Sequence, residues 1–491
     1  MTAEPSALPG SGPAAGTGPG PGRGAVTILA AGATFLAMLD ATVVNLAIPE
    51  LRSGFPSESL TDVMWVITIY AVPLAALLAP AGRLADVVGR WRLYLAGVGI
   101  FVVASALCGA APDLPVLLVS RCLQGIGSAV MIPASLVLLL HGIPVERWTR
   151  SIGIWSAATA LAAAVGPSVG GALVSSLDWR AIFYINLPLG GVLLLLAVRL
   201  RRSEPPESAG VRARMPDWIG AVLLGIGLGA VVLALSNAQY WGWGDAKTVA
   251  LVIGGGVTVA AAIRRSVGHP VPALDTTLWR NSTFSFSVGA STLYGIVMCM
   301  WLLTGVLILN QAWQYSVLRT GFAMTPCALA AGLTALLVGR IPSPRMPKAA
   351  IALGSLAMAA ASVWTWLVLA AEPDFLGFWL PCGVLVGIGM GAVVTGTACS
   401  VLLSSTPERL AGAIGTNTAA RQLGTAFGVA LVALILPGDR LVRISDFDHA
   451  LLTAGVIAVL VALLGLVMPA VRSGGARAGA PVVGEPAGET A

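Results

Sequence analysis

Long apolar runs alternate with short polar segments along the whole chain. The runs fall at 25–48, 62–81, 93–111, 115–140, 151–175, 182–200, 217–237, 246–263, 282–309, 320–339, 349–371, 376–402, 411–436 and 449–470. A helix needs roughly 20 mostly apolar residues to cross about 30 Å of hydrocarbon. The pattern therefore predicts an all-α integral membrane protein with 14 transmembrane helices. The first run is too long for the apolar core of a signal peptide and carries Asp40, so it reads as a retained span. Residues 1–24 and 471–491 are rich in small residues and lack apolar periodicity, so they read as disordered tails.

Composition sharpens the picture. The 491 residues are 57% hydrophobic and 10% charged, against roughly 45–50% and about 25% in a soluble domain. That excludes a soluble enzyme, a disordered chain and a nucleic-acid binder. A formal net charge of +6 would suggest an acidic partner, but the basic residues follow topology. With the N-terminus cytoplasmic, 20 of the 28 Lys and Arg fall in segments on that side, six fall on the other, and Arg121 and Arg421 lie within runs. Basic residues mark cytoplasmic loops. The bias predicts an even number of spans and a multi-pass protein of the plasma (inner) membrane with both termini cytoplasmic. The six cysteines sit singly inside apolar runs, and there is neither a Cys/His cluster nor a phosphate-binding glycine loop. No metal, no cofactor and no ATP drive are expected.

The runs repeat. Gly82-Arg83-Leu84 ends the second and Gly339-Arg340-Ile341 the tenth, an offset of 257. Gly125-Ile126-Gly127 in the fourth recurs as Gly387-Ile388-Gly389 in the twelfth, an offset of 262. Two nearly equal offsets predict two related six-helix bundles, with the seventh and eighth runs as an inserted hairpin. The predicted division is an N-terminal bundle over 25–201, a linker with the inserted helices over 202–281, and a C-terminal bundle over 282–470.

Three charges lie inside runs. Asp40 sits two-thirds along the first. A carboxylate at that depth must be paired, hydrated or protonated. It either carries protons or merely pairs with a base or caps a kink. Arg121 shares a helix face with Gln124, Gly125 and Ser128. It can switch the state of Asp40, or form a fixed ion pair. Arg421 shares a stripe with Asn417, Gly424, Thr425 and Gly428. It is either a cavity charge that contacts an anion or a side chain snorkelling to the interface.

Small residues suggest movement. Gly166-Pro167-Ser168-Val169-Gly170-Gly171 permits close helix approach or a bend. The segment Gly82-Arg83-Leu84-Ala85-Asp86-Val87-Val88-Gly89-Arg90 allows a tight connection, in which Asp86 and Arg90 either pair with other loops or simply anchor topology. Candidate substrate contacts are Asn45, Trp65, Gln124, Trp155, Asn417 and Arg421, since aromatic faces suit flat or cationic ligands. An interfacial aromatic belt is the competing explanation for the tryptophans.

These segments resemble a known family. The loop from Gly82 to Arg90 resembles a signature of the major facilitator superfamily. Leu39-Asp40-Ala41-Thr42-Val43-Val44-Asn45-Leu46-Ala47-Ile48-Pro49 is similar to the first-span motif of its fourteen-span drug:proton antiporter branch. Arg121-Cys122-Leu123-Gln124-Gly125-Ile126-Gly127 resembles the fourth-span motif, and Gly166-Pro167 with Gly170-Gly171 the antiporter motif of the fifth. Asp178-Trp179-Arg180 followed by Phe183, Asn186 and Pro188 is similar to the segment after it, and Arg421-Gln422-Leu423-Gly424 also fits. Val87 departs from the pattern, as does the acid-free second-half loop from Gly339 to Arg345.

The resemblance implies the major facilitator fold and proton-coupled export of amphipathic organic compounds by alternating access. In that implied scheme Asp40 and Arg121 couple protons. Gly82, Asp86, Gly89, Arg90, Gly166, Pro167, Gly170 and Gly171 serve gating. The implied partners are a small amphipathic substrate, protons and the bilayer, with no nucleic acid, for a monomeric chain driven by the proton gradient. A carrier of the same fold for a nutrient, lipid or amino acid is the alternative. A membrane enzyme would need a nucleophile, base or metal cluster, and none is visible.

Overall fold

A computed structural model describes residues 23–469 apart from 45–46, 59, 142, 145–146, 204–216, 271, 371, 407–408 and 437–443. Apart from Arg23 and Gly24, which open the first helix, the predicted tails lie outside these residues. The elements are α1 (Arg23–Val43), α2 (Ile48–Gly54), α3 (Leu60–Val88), α4 (Arg90–Gly109), α5 (Leu114–Leu140), α6 (Trp148–Ser176), α7 (Ala181–Tyr184) and α8 (Asn186–Ser203). They continue with α9 (Trp218–Trp241), α10 (Ala246–Gly268), α11 (Ser282–Leu307), α12 (Val317–Gly339), α13 (Met346–Val368), α14 (Leu380–Leu403), α15 (Leu410–Ile435) and α16 (Asp446–Val467). Each predicted run coincides with a helical stretch, and the sixth comprises α7 and α8. π-Helical turns extend α11 over Ile308–Ala312 and precede α14 over Phe375–Trp379. Among the described residues, 12 helices are long and apolar enough to cross a membrane. The other two long helices, α6 and α15, have 29 and 26 residues, also enough for the crossing.

One boundary matters for function. α1 ends at Val43 rather than 48. Thr42, Val43 and Val44 are β-branched and extend a helix poorly. Pro49 lacks a backbone donor but suits a first turn, and α2 starts around it. Asp40 therefore lies in the last turn of α1, not two-thirds along it.

The surface is inside-out relative to a soluble protein. Ile100, Val103 and Leu107 form an exposed apolar stripe on α4, and Val249, Val252, Ile253 and Val257 one on α10, while Asp40, Arg121 and Gln124 are buried. Lipid requires that arrangement.

Packing repeats between the halves. α1 packs on α6, α5 and α8; α3 packs on α5; α4 packs on α5 and α8. The same network joins α11 with α15, α14 and α16, α12 with α14, and α13 with α14 and α16. Gly125 meets the Tyr70 carbonyl, and Gly387 meets that of Cys327. Thr34 and Thr159 share a hydrogen bond of 2.7 Å between α1 and α6; Ser291 and Asn417 share one of 2.6 Å between α11 and α15. Those pairs are related by offsets of 257 to 262, so the predicted repeat is a structural one.

The halves meet along two seams, α3 with α15 and α6 with α12. On the face carrying the arginine-rich connections both seams are shut. Gly82 abuts the Ala411 carbonyl, and Gly153 abuts Ala335 and Gly339. An apolar cluster drawn from both halves, including Leu136, Leu140, Trp155, Met346, Leu402 and Ile414, plugs this face. The corresponding cluster at the opposite face of the first half (Val43, Leu51, Phe55, Trp179, Phe183) stays within that half. α9 lies over the α3–α15 seam and pairs with α10; no inserted helix covers the α6–α12 seam among the described residues.

Candidate functional site

Five helices of the first half converge on Asp40. Arg121 Nη1 lies 2.6 Å from its Oδ2. Gln124 Nε2 and Asn186 Nδ2 each donate to Oδ1 at 2.8 Å. Arg121 Nη1 also donates to Gln124 Oε1 at 2.7 Å and its Nε to the Val66 carbonyl at 3.0 Å. Gln124 Nε2 donates to Ser105 Oγ at 2.8 Å. The Tyr70 ring stacks on the guanidinium at 4.3 Å, while its hydroxyl hydrogen-bonds Ser128 Oγ at 2.9 Å. α1, α3, α4, α5 and α8 thus each supply a group.

The cluster is dry. Asp40 and Arg121 are each 1% exposed, Gln124 and Asn186 fully buried. An apolar roof with Leu51 of α2, Trp179 and Phe183 closes it from above. A carboxylate accepts hydrogen bonds only, and every partner offers a donor. Such a pair is worth little as mere scaffolding, because desolvation offsets most of its attraction, but removing one partner strands a buried charge. The cluster occupies the third of the first half away from the arginine-rich face. This follows from the early end of α1 and from Arg121 being only seven residues into α5.

The other candidates are dispersed. Gly166 and Gly170 bring α6 against Thr42 and Val43 of α1, at the level of the cluster. The backbone of α6 runs unbroken through Pro167 to Ser176, and Gly171 is half-buried. Gly82 sits in the shut seam. Gly89 has φ of 106° before α4, a conformation that favours glycine. Asp86 ends α3 near half-buried Arg90; the side chain of Asp86 is outside the described set, as is Asn45 altogether. The Trp65 ring lies tilted against that of Trp241 of α9, with centroids 6.3 Å apart. Trp155 donates to Ser135 Oγ at 3.2 Å inside the plug. In the second half, Asn417 accepts from Ser291, and Arg421 lies one turn further along α15. Asn186, Ser105 and Tyr70 join Asp40 without having been singled out as its partners. A lone Asn opening the sixth apolar run was the available signal for the first.

The sequence pattern of the Major Facilitator Superfamily matches residues 30–309. The chain belongs to that superfamily. It is a multi-pass membrane transporter, not an enzyme. It is 34% identical over 432 residues to the puromycin resistance protein pur8 of Streptomyces alboniger, covering 86% of this chain and 83% of that one. It is 30% identical over 419 residues to the multidrug resistance protein Stp of Mycobacterium tuberculosis, covering 84% and 75%. The tetracenomycin C resistance and export protein of Streptomyces glaucescens is 31% identical over 422 residues, with the same coverage. The crystal structure of the human organic anion transporter MFSD10 aligns with a TM-score of 0.65 over 91% of this chain and 100% of that one, at 16% identity, a likeness of fold alone.

Proposed function

We propose that the protein is a proton-coupled exporter of amphipathic organic compounds, of the drug or antibiotic kind, working by alternating access. The observation that carries this is the buried Asp40–Arg121 pair, served by three further helices, α3, α4 and α8. Relatives named for drug resistance and export support the cargo class. The arginine-rich face is the cytoplasmic one by the distribution of basic residues, which puts both termini inside the cell membrane.

In this reading the conformation is closed to the cytoplasm and Asp40 is the charged, paired member of the cycle. Protonating the carboxyl removes its attraction for Arg121 and loosens α1 from α5. Gly166 and Gly170 let α6 follow α1. The two seams then part on the arginine-rich side. One proton moving inward supplies about 2.3 kcal/mol per 100 mV of membrane potential. In this reading no cofactor is needed and a single chain suffices.

Everted membrane vesicles test the reading. With an imposed pH gradient and no ATP, vesicles with the protein should accumulate at least one of a panel of amphipathic aromatic compounds spanning positive, neutral and negative charge, and a protonophore should abolish this. Asp40→Asn at equal protein level should lose at least ten-fold in gradient-driven accumulation. Undiminished accumulation by Asp40→Asn would refute the coupling role.

A further inference from the structure

The second half holds a cation without an acid. Arg421 is eleven residues into α15, about 16 Å along the helix at 1.5 Å per residue. That depth is beyond the reach of a side chain to the basic face. It is half-buried, and its guanidinium makes no hydrogen bond or ion pair among the described residues. Helices α11 to α15 contain no Asp or Glu at all; α16 has Asp446 and Asp448, both in its first turn. The repeat makes the contrast sharp. At the offset of 257 that relates Thr34 to Ser291, the counterpart of Asp40 is Val297, which is buried.

Arg421 also points the right way. Gly424 and Gly428 of α15 abut Thr292 and Ile296 of α11, whereas Ala411 and Gly415 abut α3. At 100° per residue Arg421 falls at the edge of the α11 face, where its own carbonyl abuts Gly295, on the flank leading round to the α3 face. Nearby donors match it. The Oδ1 of Asn417 is already taken by the Ser291 hydroxyl, so its amide nitrogen is left with donor capacity. The Tyr294 hydroxyl, on α11 beside Arg421, donates to the Met390 carbonyl at 3.4 Å, a long bond. Among the described residues of α11 to α15 no carboxylate answers this cation. A guanidinium fits a carboxylate or a similarly planar oxyanion best.

Building on the exporter reading, the geometry points to an anionic group on the cargo: Arg421, with Asn417 beside it, is the seat for a carboxylate or acidic phenolate of the exported compound. The proton site and the cargo site are then on opposite halves, Asp40 in the first and Arg421 in the second. Cargo charge meets protein charge only while the compound is bound.

Matched pairs of aromatic acids and their primary amides, from naphthalene to anthraquinone size, test this on purified full-length protein in neutral-lipid nanodiscs and in everted vesicles. Binding should favour the acid over its amide at least ten-fold in one or more pairs. Arg421→Gln should lower that ratio at least ten-fold, and Arg421→Lys should restore part of it. The ratio is the readout, so a general loss of activity does not imitate the result. Should Arg421→Gln not fold, the wild-type ratio and that of Arg421→Lys decide. Preference for the amides, an acid preference unchanged in Arg421→Gln, or no binding by either member of any pair would overturn the assignment. Failure of the exporter reading looks different: wild-type vesicles would then move no compound of any charge under a pH gradient.

Discussion

Asp40 accepts three charge-assisted or amide hydrogen bonds on its two oxygens and is buried. Arg121 is held as firmly, by Val66, Gln124 and the face of Tyr70. Each neutralises the other's desolvation, so either single loss strands a charge, at about 3–5 kcal/mol. Arg121→Leu should therefore lower the thermal unfolding midpoint of the purified protein well below that of the wild type. Asp40→Asn combined with Arg121→Leu should recover most of the difference, because no charge is then left alone, yet proton-driven export should stay lost. A double variant no more stable than Arg121→Leu would contradict the pairing. Asp40 and Arg121 were legible in the sequence as charges inside apolar runs. Asn186 was not, because an amide at the start of a run is compatible with a loop, and only the fold brings α8 under α1.

At the scale of elements, the inserted hairpin shows what sequence periodicity resolves. Every long helix is visible as an apolar run, yet the end of α1 is displaced by local β-branching and Pro49, and the π-turns at Ile308–Ala312 and Phe375–Trp379 leave no mark in hydropathy. How the hairpin is tethered is also a matter of tertiary structure. Asp217 caps α9 by accepting from the Gly220 amide at 2.9 Å and from Arg265 Nε of α10 at 2.7 Å. Burial pushes its carboxyl up, but the Arg265 hydrogen bond, the Gly220 amide and the nearby charges of Arg265 and His269 outweigh this and hold it below the usual carboxylate range. A lowered value in the folded state stabilises above the unfolded carboxylate range and is lost as pH falls through the folded value. The unfolding midpoint should therefore drop between pH 6 and about pH 3 by more in the wild type than in Asp217→Asn, by roughly 2–4 °C for each 1 kcal/mol involved. Equal drops would show that the pair does not hold the hairpin.

Over the whole molecule, two halves built on one plan have diverged in charge. The first half keeps an acid and a base together under an apolar roof; in the second, Arg421 has no acid beside it among the described residues of α11 to α15. The repeat was legible from Gly82 and Gly339 and from the paired Gly-Ile-Gly steps, since close backbone approach admits few alternatives to glycine. The shut seams and the plug of Leu136, Trp155, Met346 and Ile414 were not, because apolar residues at the plug look like any other part of a span. Trp155, a candidate cargo contact, packs in this plug. In the proposed cycle this plug parts when Asp40 changes charge. Protein reconstituted in liposomes with a trapped pH dye measures that link most directly, by comparing exchange of a transported compound between the two sides with its uphill movement and the accompanying proton flux. The account predicts that Asp40→Asn keeps compound-for-compound exchange but shows neither proton flux nor uphill movement. Proton flux tied to the compound and undiminished in Asp40→Asn would contradict it.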